Sequence, residues 1–313
     1  MNTNKKQRLV IIVGPTASGK TGLSLALAEN LHGEIINADS MQVYRLMDIG
    51  TAKPSPAERK MVPHHVIDVV YPDEAYNAAR YRADATAAVN DISGREKGVF
   101  IVGGTGLYIK ALLRGIFPGP AGGGELRALL WAEIEEKGVQ HSYEELKDVD
   151  PRAAERIHPH DSVRIIRALE VFRLTGVPIS EYQSDHGFRE SPYRYRKIGL
   201  APDRDELYRR IDSRAREMLG RGLIEEVERL LAEGYSEDLK PMQSLGYRHV
   251  MRYLRGDYGF DEMLTIMTRD TRHYAKRQLT WFRNDPEVNW YHPDDIEGIS
   301  KEVKGFIEED HAV

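Results

Sequence analysis

Gly14-Pro15-Thr16-Ala17-Ser18-Gly19-Lys20-Thr21 stands directly behind the apolar run Leu9-Val10-Ile11-Ile12-Val13. The stretch satisfies G-x-x-x-x-G-K-[ST], and Leu23, Leu25, Ala26, Leu27, Ala28 and Leu31 continue it as an amphipathic helix. A buried strand, a glycine loop and a helix N-terminus are the context in which backbone N–H groups converge on phosphate oxygens. Gly14 and Gly19 let the backbone close tightly, with Pro15, Thr16, Ala17 and Ser18 forming the wall between them. Lys20 brings a point charge to the terminal phosphates, and the Thr21 hydroxyl suits a magnesium ion. The motif fixes a di- or triphosphate group and leaves open whether that group belongs to ATP.

Further strand candidates are Glu34–Ala38, His65–Val70, Val99–Val102 and Lys197–Ala201. Helical patterns lie between them, among them Ala75–Ser93 with Ala78, Ala79, Ala83, Ala87 and Ala88 as a small-residue face. This alternation predicts an α/β fold, a P-loop NTPase-like parallel sheet whose ligands gather at the C-terminal strand ends. It breaks after Leu113. Pro118-Gly119-Pro120-Ala121-Gly122-Gly123-Gly124 reads as a hinge, and Leu126–Lys137, Tyr143–Lys147 and Arg152–Thr175 follow as a helical block. The expected organisation is a catalytic core of residues 1–117 and 196–313, interrupted by an all-helical subdomain at 118–195. Neither an internal repeat nor a heptad run is evident, and a monomer is expected.

At 313 residues with 41% hydrophobic content, the chain can bury a substantial core. It has no cysteine, so disulfides, thiol nucleophiles and thiolate metal sites are excluded, and any metal must be held by oxygen or histidine. No apolar stretch reaches the roughly 20 residues that span a bilayer, and no signal-peptide core follows the polar start Met1–Arg8, so a cytoplasmic protein is expected. The net charge of −5 argues against non-specific coating of nucleic acid while permitting a local basic track.

Asp39-Ser40-Met41-Gln42 follows the second strand candidate, which places a carboxylate beside the phosphate loop. Magnesium ligand, general base and turn cap are all open to Asp39. Val99-Phe100-Ile101-Val102-Gly103-Gly104-Thr105-Gly106-Leu107-Tyr108 is a second strand–glycine turn–helix junction, where Thr105 is placed to donate to a pyrophosphate oxygen. Arg269, Arg272, Lys276, Arg277 and Arg283 stand against the single acid Asp270, interleaved with His273, Tyr274, Trp281 and Phe282. Arg269, Arg272 and Lys276 share a helical face that either grips a phosphate backbone or is merely solvated. Arg152, Arg156, His158, His160, Arg164, Arg167 and Arg173 make a second, acid-diluted basic segment. His64-His65 and His158/His160 lack a partner set with metal-ligand spacing and read as core or loop residues.

Several of these pieces together resemble the bacterial tRNA dimethylallyltransferases. They are Gly14–Thr21, Asp39-Ser40 with Gln42-Val43-Tyr44, Met47-Asp48-Ile49-Gly50-Thr51-Ala52-Lys53-Pro54, Val102–Tyr108, Arg156-Ile157-His158-Pro159, Arg167-Ala168-Leu169-Glu170, and Ala275-Lys276-Arg277-Gln278-Leu279-Thr280-Trp281-Phe282-Arg283. The resemblance covers essentially the whole chain, and Met47–Pro54 and Lys276–Trp281 are its specific blocks. It implies transfer of a dimethylallyl group from dimethylallyl diphosphate to the exocyclic amine of the adenine just 3′ of the anticodon.

On that likeness the loop would cradle the pyrophosphate, with Lys20, Thr21, magnesium and Thr105 offsetting charge on the leaving group and Arg214 aimed at it. Asp39 would orient the amine and accept its proton, and Ser40, Met41 and Gln42 would hold the flipped base. Arg127, Val163, Arg164, Ile165, Ile166 and Arg167 would meet tRNA, together with Lys276 and Arg277. The missing cysteines exclude the zinc finger that eukaryotic relatives append, and Gly122-Gly123-Gly124 replaces a more polar hinge. The rival readings are a P-loop kinase of a small metabolite, an enzyme prenylating free adenine nucleotides, and a nucleotide-gated RNA-binding module without transfer chemistry.

Overall fold

Leu9, Ile11 and Val13 pack into one hydrophobic cluster and Val10 and Ile12 into another. A strand whose alternate side chains are all buried must be covered on both faces, as central strands of parallel sheets are. A computed structural model describes residues 6–116, 124–186 and 191–308, and the chain divides into two compact units, Met1–Leu113 with Ser191–Val313, and Arg114–Glu190.

The larger unit begins with β1 (Arg8–Val13), α1 (Lys20–Asn30), β2 (Gly33–Asn37), α2 (Pro56–Met61), β3 (His64–His65), α3 (Ala78–Gly94), β4 (Gly98–Val102) and α4 (Gly106–Arg114). The described elements of the smaller unit are all helices: α5 (Gly124–Lys137), α6 (Val139–Val149), α7 (Pro151–Ala154), α8 (Ser162–Thr175) and α9 (Ile179–His186). The chain then returns through β5 (Arg194–Leu200), α10 (Arg204–Gly220), α11 (Leu223–Ala232), α12 (Tyr247–Leu254), α13 (Phe260–Arg283), β6 (Val288–Tyr291) and α14 (Ile296–Glu308). The strands form one sheet in the order β3-β2-β4-β1-β5-β6, every pair parallel. One face is covered by α1 and α14 through Leu23, Leu27, Ile299, Val303 and Phe306, and the other by α3, α4 and α11 to α13. No described helix is long and apolar enough to cross a membrane.

Four expectations change. His65–Val70 is not a strand: only His64 and His65 pair with β2, because Val66 and Asp68 take positive φ (59° and 54°), and Val70 makes an isolated bridge to Tyr44. In α3 the buried face is Tyr81, Ala85, Val89 and Ile92, while Ala79, Ala83 and Ala87 face solvent. At 100° per residue, the larger side chains of the same helix define the face that packs, and Tyr81 stacks on Tyr108 at 4.3 Å. Arg152–Thr175 breaks into α7 and α8 around His158-Pro159, where proline lacks an N–H and disfavours helix at the residue before it. β6 was not anticipated; its four residues sit between the polar Asn284–Glu287 and His292–Asp295. Of the expected hinge, residues 118–123 lie outside the described residues, and Gly124 opens α5. The expected insertion, 118–195, and the compact unit, 114–190, differ at both ends, since 194 and 195 belong to β5.

The smaller unit has its own core, in which Leu130, Leu146, Ala153, Ile165, Ile166, Leu169 and Ile179 cluster. Asp150 joins two of its helices, accepting the N–H of Ala153 at 2.9 Å and of Ser180 at 2.9 Å.

Candidate active site

The loop after β1 folds around its own backbone. Gly14 has φ +147°, and a Cβ there would stand 2.7 Å from the Leu200 carbonyl, so no other residue fits between β1 and β5. Ala17 at the loop's apex has φ 63°, and Gly19 at φ 93° delivers the chain into α1. The Ser18 hydroxyl is buried with no hydrogen-bond partner, an orphaned donor inside a loop built to hold anions. Lys20 turns back on the loop, its Nζ donating to the carbonyls of Gly14 (3.0 Å) and Pro15 (2.6 Å). Burial, with Arg214 adding to it and Asp39 opposing, pulls the Lys20 ammonium down to about 7. Burial also lowers Arg214, for which no hydrogen-bond partner is found among the described residues.

Asp39 follows β2. Its Oδ1 accepts the Met41 N–H at 2.8 Å, and its own N–H donates to Asn37 Oδ1 at 3.0 Å. The turn-cap role is therefore real, yet it uses one carboxylate oxygen and leaves the other for a ligand. Thr105, after β4, accepts the Ser40 N–H on its hydroxyl at 3.0 Å and keeps its hydroxyl proton to donate. The two strand-end turns are thereby tied together.

A cavity of about 520 Å³ is lined by Thr16 to Thr21 of the loop with Asp39, Gln42, Arg210, Arg214, Tyr274 and Gln278. A second, of about 300 Å³, shares Thr16, Ala17, Asp39, Arg214, Met218 and Tyr274 with it and adds Met41, Ile211, Ala215 and Met267. Asp39 and Arg214 thus stand where a phosphate-binding space meets a carbon-lined one, so a group with a charged head and an apolar tail can straddle them.

Gln278 is a site residue the sequence reading did not single out. Buried on α13, it accepts the Thr16 N–H on Oε1 at 2.8 Å and donates from Nε2 to the Gly104 carbonyl at 3.1 Å, locking the phosphate loop to the second glycine turn. Gly104 lacks a Cβ because one would collide with that amide. A glutamine at a buried position of an otherwise basic helix was the available signal.

The basic face of α13 is only partly free. Arg269 pairs with Asp270 at 3.0 Å and Arg272 with Asp212 at 2.6 Å, so their charge is already met in part within the protein. Lys276 and Arg277 are exposed, and the Arg277 guanidinium lies 5.7 Å from the Tyr274 ring centroid. In the smaller unit, Arg127 and Arg167 each reach Oε2 of the buried Glu170 at 2.6 Å. Val163 and Arg164 are exposed, whereas Ile165 and Ile166 are fully buried in the unit's core, so their side chains cannot face RNA. Arg173 is held by Glu133 and Glu145.

Among the described residues, the one cluster with metal-ligand spacing is Glu206, His292 and Asp294. Arg210 lies 2.5 Å from Glu206 and 3.8 Å from Asp294, so it reads as an ion-pair network.

The family model for IPP transferase matches residues 42–285. A tRNA dimethylallyltransferase 2 of Geotalea uraniireducens is 54% identical, covering 96% of this chain and 98% of its own length. A tRNA dimethylallyltransferase of Geobacter metallireducens is 49% identical, with 98% and 99% covered. The crystal structure of full-length tRNA isopentenylpyrophosphate transferase from Bacillus halodurans aligns with TM-score 0.72 and 41% identity over 97% of this chain and 98% of that one. A eukaryotic dimethylallyltransferase captured acting on tRNA aligns with TM-score 0.82 and 27% identity over 97% of this chain and 80% of its own.

Proposed function

This chain belongs to the IPP transferase family, from which we infer that it moves the dimethylallyl group of dimethylallyl diphosphate onto the N6 amine of the adenosine 3′-adjacent to the anticodon in tRNA, releasing diphosphate. The observation that carries the reading is the junction of the two cavities at Asp39 and Arg214. A diphosphate in the phosphate loop and a prenyl carbon in the apolar space meet there, in reach of a carboxylate.

The allylic carbon–oxygen bond breaks as the N6–carbon bond forms, and the electron pair leaves with the diphosphate. Charge developing on that group is met by the loop's N–H groups, the Ser18 hydroxyl, Lys20, Arg214 and the Thr105 hydroxyl, all preorganised and partly shielded from water. An adenine amine is a weak nucleophile, so alignment counts for more than basicity. Asp39, held by the Met41 N–H through one oxygen, orients the amine with the other and takes its proton.

Thr21, which lines the larger cavity, supplies a hydroxyl oxygen suited to magnesium, and the cysteine-free chain offers no thiolate to compete. Magnesium, when bound, would neutralise charge on the diphosphate oxygens. Exposed Lys276 and Arg277, together with Arg127, Val163, Arg164 and Arg167, are our choice for contacts to the anticodon stem-loop, and the protein acts in the cytoplasm.

The test supplies purified protein with magnesium, unmodified tRNA and either dimethylallyl diphosphate labelled in the prenyl group or γ-labelled ATP. Prenyl label in tRNA at the adenosine beside the anticodon supports the reading. Label transferred from ATP, or prenyl label only on free adenine nucleotides, overturns it.

A further inference from the structure

Glu226 is a carboxylate on α11 that is 1% exposed and takes no part in the chemistry above. It faces three successive backbone donors. Oε2 accepts the Asp48 N–H at 3.0 Å and the Ile49 N–H at 2.8 Å, while Oε1 accepts the Gly50 N–H at 3.1 Å and the Tyr247 hydroxyl at 2.6 Å. Successive N–H groups turned inward form a concavity for an anion, and here the anion is the protein's own side chain. With four donors on it, this carboxylate ties the Met47–Lys53 turn to α11. That turn is further closed by the Ala52 N–H on the Ile49 carbonyl (3.0 Å) and the Thr51 hydroxyl on the Met47 carbonyl (2.5 Å).

The turn ends at two carbonyls that matter to the site. Gln42 Nε2 donates to the carbonyls of Thr51 and of Ala52, both at 3.2 Å. Carbonyls only accept, so this pair decides which end of the amide is nitrogen. Both N–H groups of Gln42 are spent inside the protein. Its Oε1 has no donor among the described residues, and Gln42 lines the larger cavity with Asp39.

We propose that Glu226 is a positioning residue for base selection: by holding the 48–52 turn it fixes Gln42 with its acceptor oxygen toward the site, which then favours a purine bearing an exocyclic amine. The inference rests on the adenosine-prenylating reading. A purine with a carbonyl in place of the amine sets acceptor against acceptor, and a buried polar group left unpaired is the strongest source of discrimination between isosteres.

The test measures dissociation constants, in the presence of magnesium and inorganic diphosphate, for two anticodon stem-loops that differ only in adenine or hypoxanthine at the target position. Wild-type protein is expected to prefer adenine by about tenfold or more. In Glu226→Gln, whose amide turns N–H toward the backbone donors, the preference is expected to fall to within about threefold, and likewise in Gln42→Met. Loss of folded protein scales both loops alike and leaves the ratio unmoved.

An unchanged ratio in folded Glu226→Gln overturns the proposal, as does an unchanged ratio in Gln42→Met. If Glu226→Gln does not fold, Glu226→Asp, which keeps the charge but withdraws it by one methylene, is expected to move the ratio in the same direction, and no movement overturns the proposal. A wild-type enzyme that prenylates the adenine loop yet shows no preference sinks this inference alone. One that neither binds nor prenylates it sinks the transfer reading as well.

Discussion

The side-chain oxygen of Gln278 accepts the backbone N–H of Thr16 at 2.8 Å, a contact between residues 262 apart in sequence. Through it, and through the Gly104 carbonyl, the helix that exposes Lys276 and Arg277 also sets the shape of the phosphate loop. Gln278→Leu should leave the Thr16 N–H and the Gly104 carbonyl buried without partners, at a cost of about 1–3 kcal/mol. The expected outcome is a lower Tm and an affinity for inorganic diphosphate weakened by about tenfold, measured by calorimetry. Unchanged affinity at a lower Tm would return Gln278 to a purely structural role.

Lys20 should make diphosphate binding depend on pH. Its ammonium titrates at about 7 in the ligand-free protein, and a bound polyanion favours the charged form. Binding therefore draws in a proton above that pH, and affinity should fall by up to about tenfold per unit as pH rises beyond 7. Calorimetry in two buffers of different ionisation enthalpy reads the proton directly. Zero uptake at pH 8 would contradict the assignment.

Glu34, at the start of β2, is buried and held far below the ordinary carboxylate range by Arg95 first, then by Lys97 and His65, against the opposing pull of burial. A depressed folded-state value means that its contribution is complete above the unfolded carboxylate range, near pH 4, and fades as pH falls toward the folded value. Glu34→Gln is expected to lose about 1–2 kcal/mol at pH 7, a modest figure because Arg95 and Lys97 reach solvent. Urea unfolding should show the gap between the two proteins narrowing below about pH 4; a gap that widened there would reverse the sign.

Lys276→Ala with Arg277→Ala should weaken tRNA binding and lower the slope of log affinity against log salt by about 1 to 2. Arg269→Ala and Arg272→Ala, whose guanidiniums are paired with Asp270 and Asp212, should leave that slope nearly unchanged. Filter binding over a salt series separates the pairs, and equal slopes for both would remove α13 from the RNA interface.

The parts of this molecule legible in sequence are those dictated locally. An apolar run before a glycine loop specifies β1, the loop and α1, and the same logic places Asp39 and Thr105 at the ends of β2 and β4. What sequence did not disclose depends on partners distant in the chain. Gln278 looks like a surface residue of a basic helix until Thr16 and Gly104 are beside it. Arg272 looks free until Asp212 is. Ile165 and Ile166 sit in a motif matched to tRNA, yet the core of the smaller unit claims them. The loss of His65–Val70 as a strand has a similar origin: Asp68 leaves the β region where Lys53 and Arg59 bind its carboxylate, at 2.5 Å each.

The most direct measurement is the single-turnover rate of prenyl transfer by Asp39→Ala, taken alongside its tRNA dissociation constant. If Asp39 aligns the amine and takes its proton where the two cavities meet, the rate falls by about 100-fold or more while tRNA affinity stays within about threefold of wild type. A rate that is unchanged, or one that falls only in step with tRNA affinity, would contradict that role.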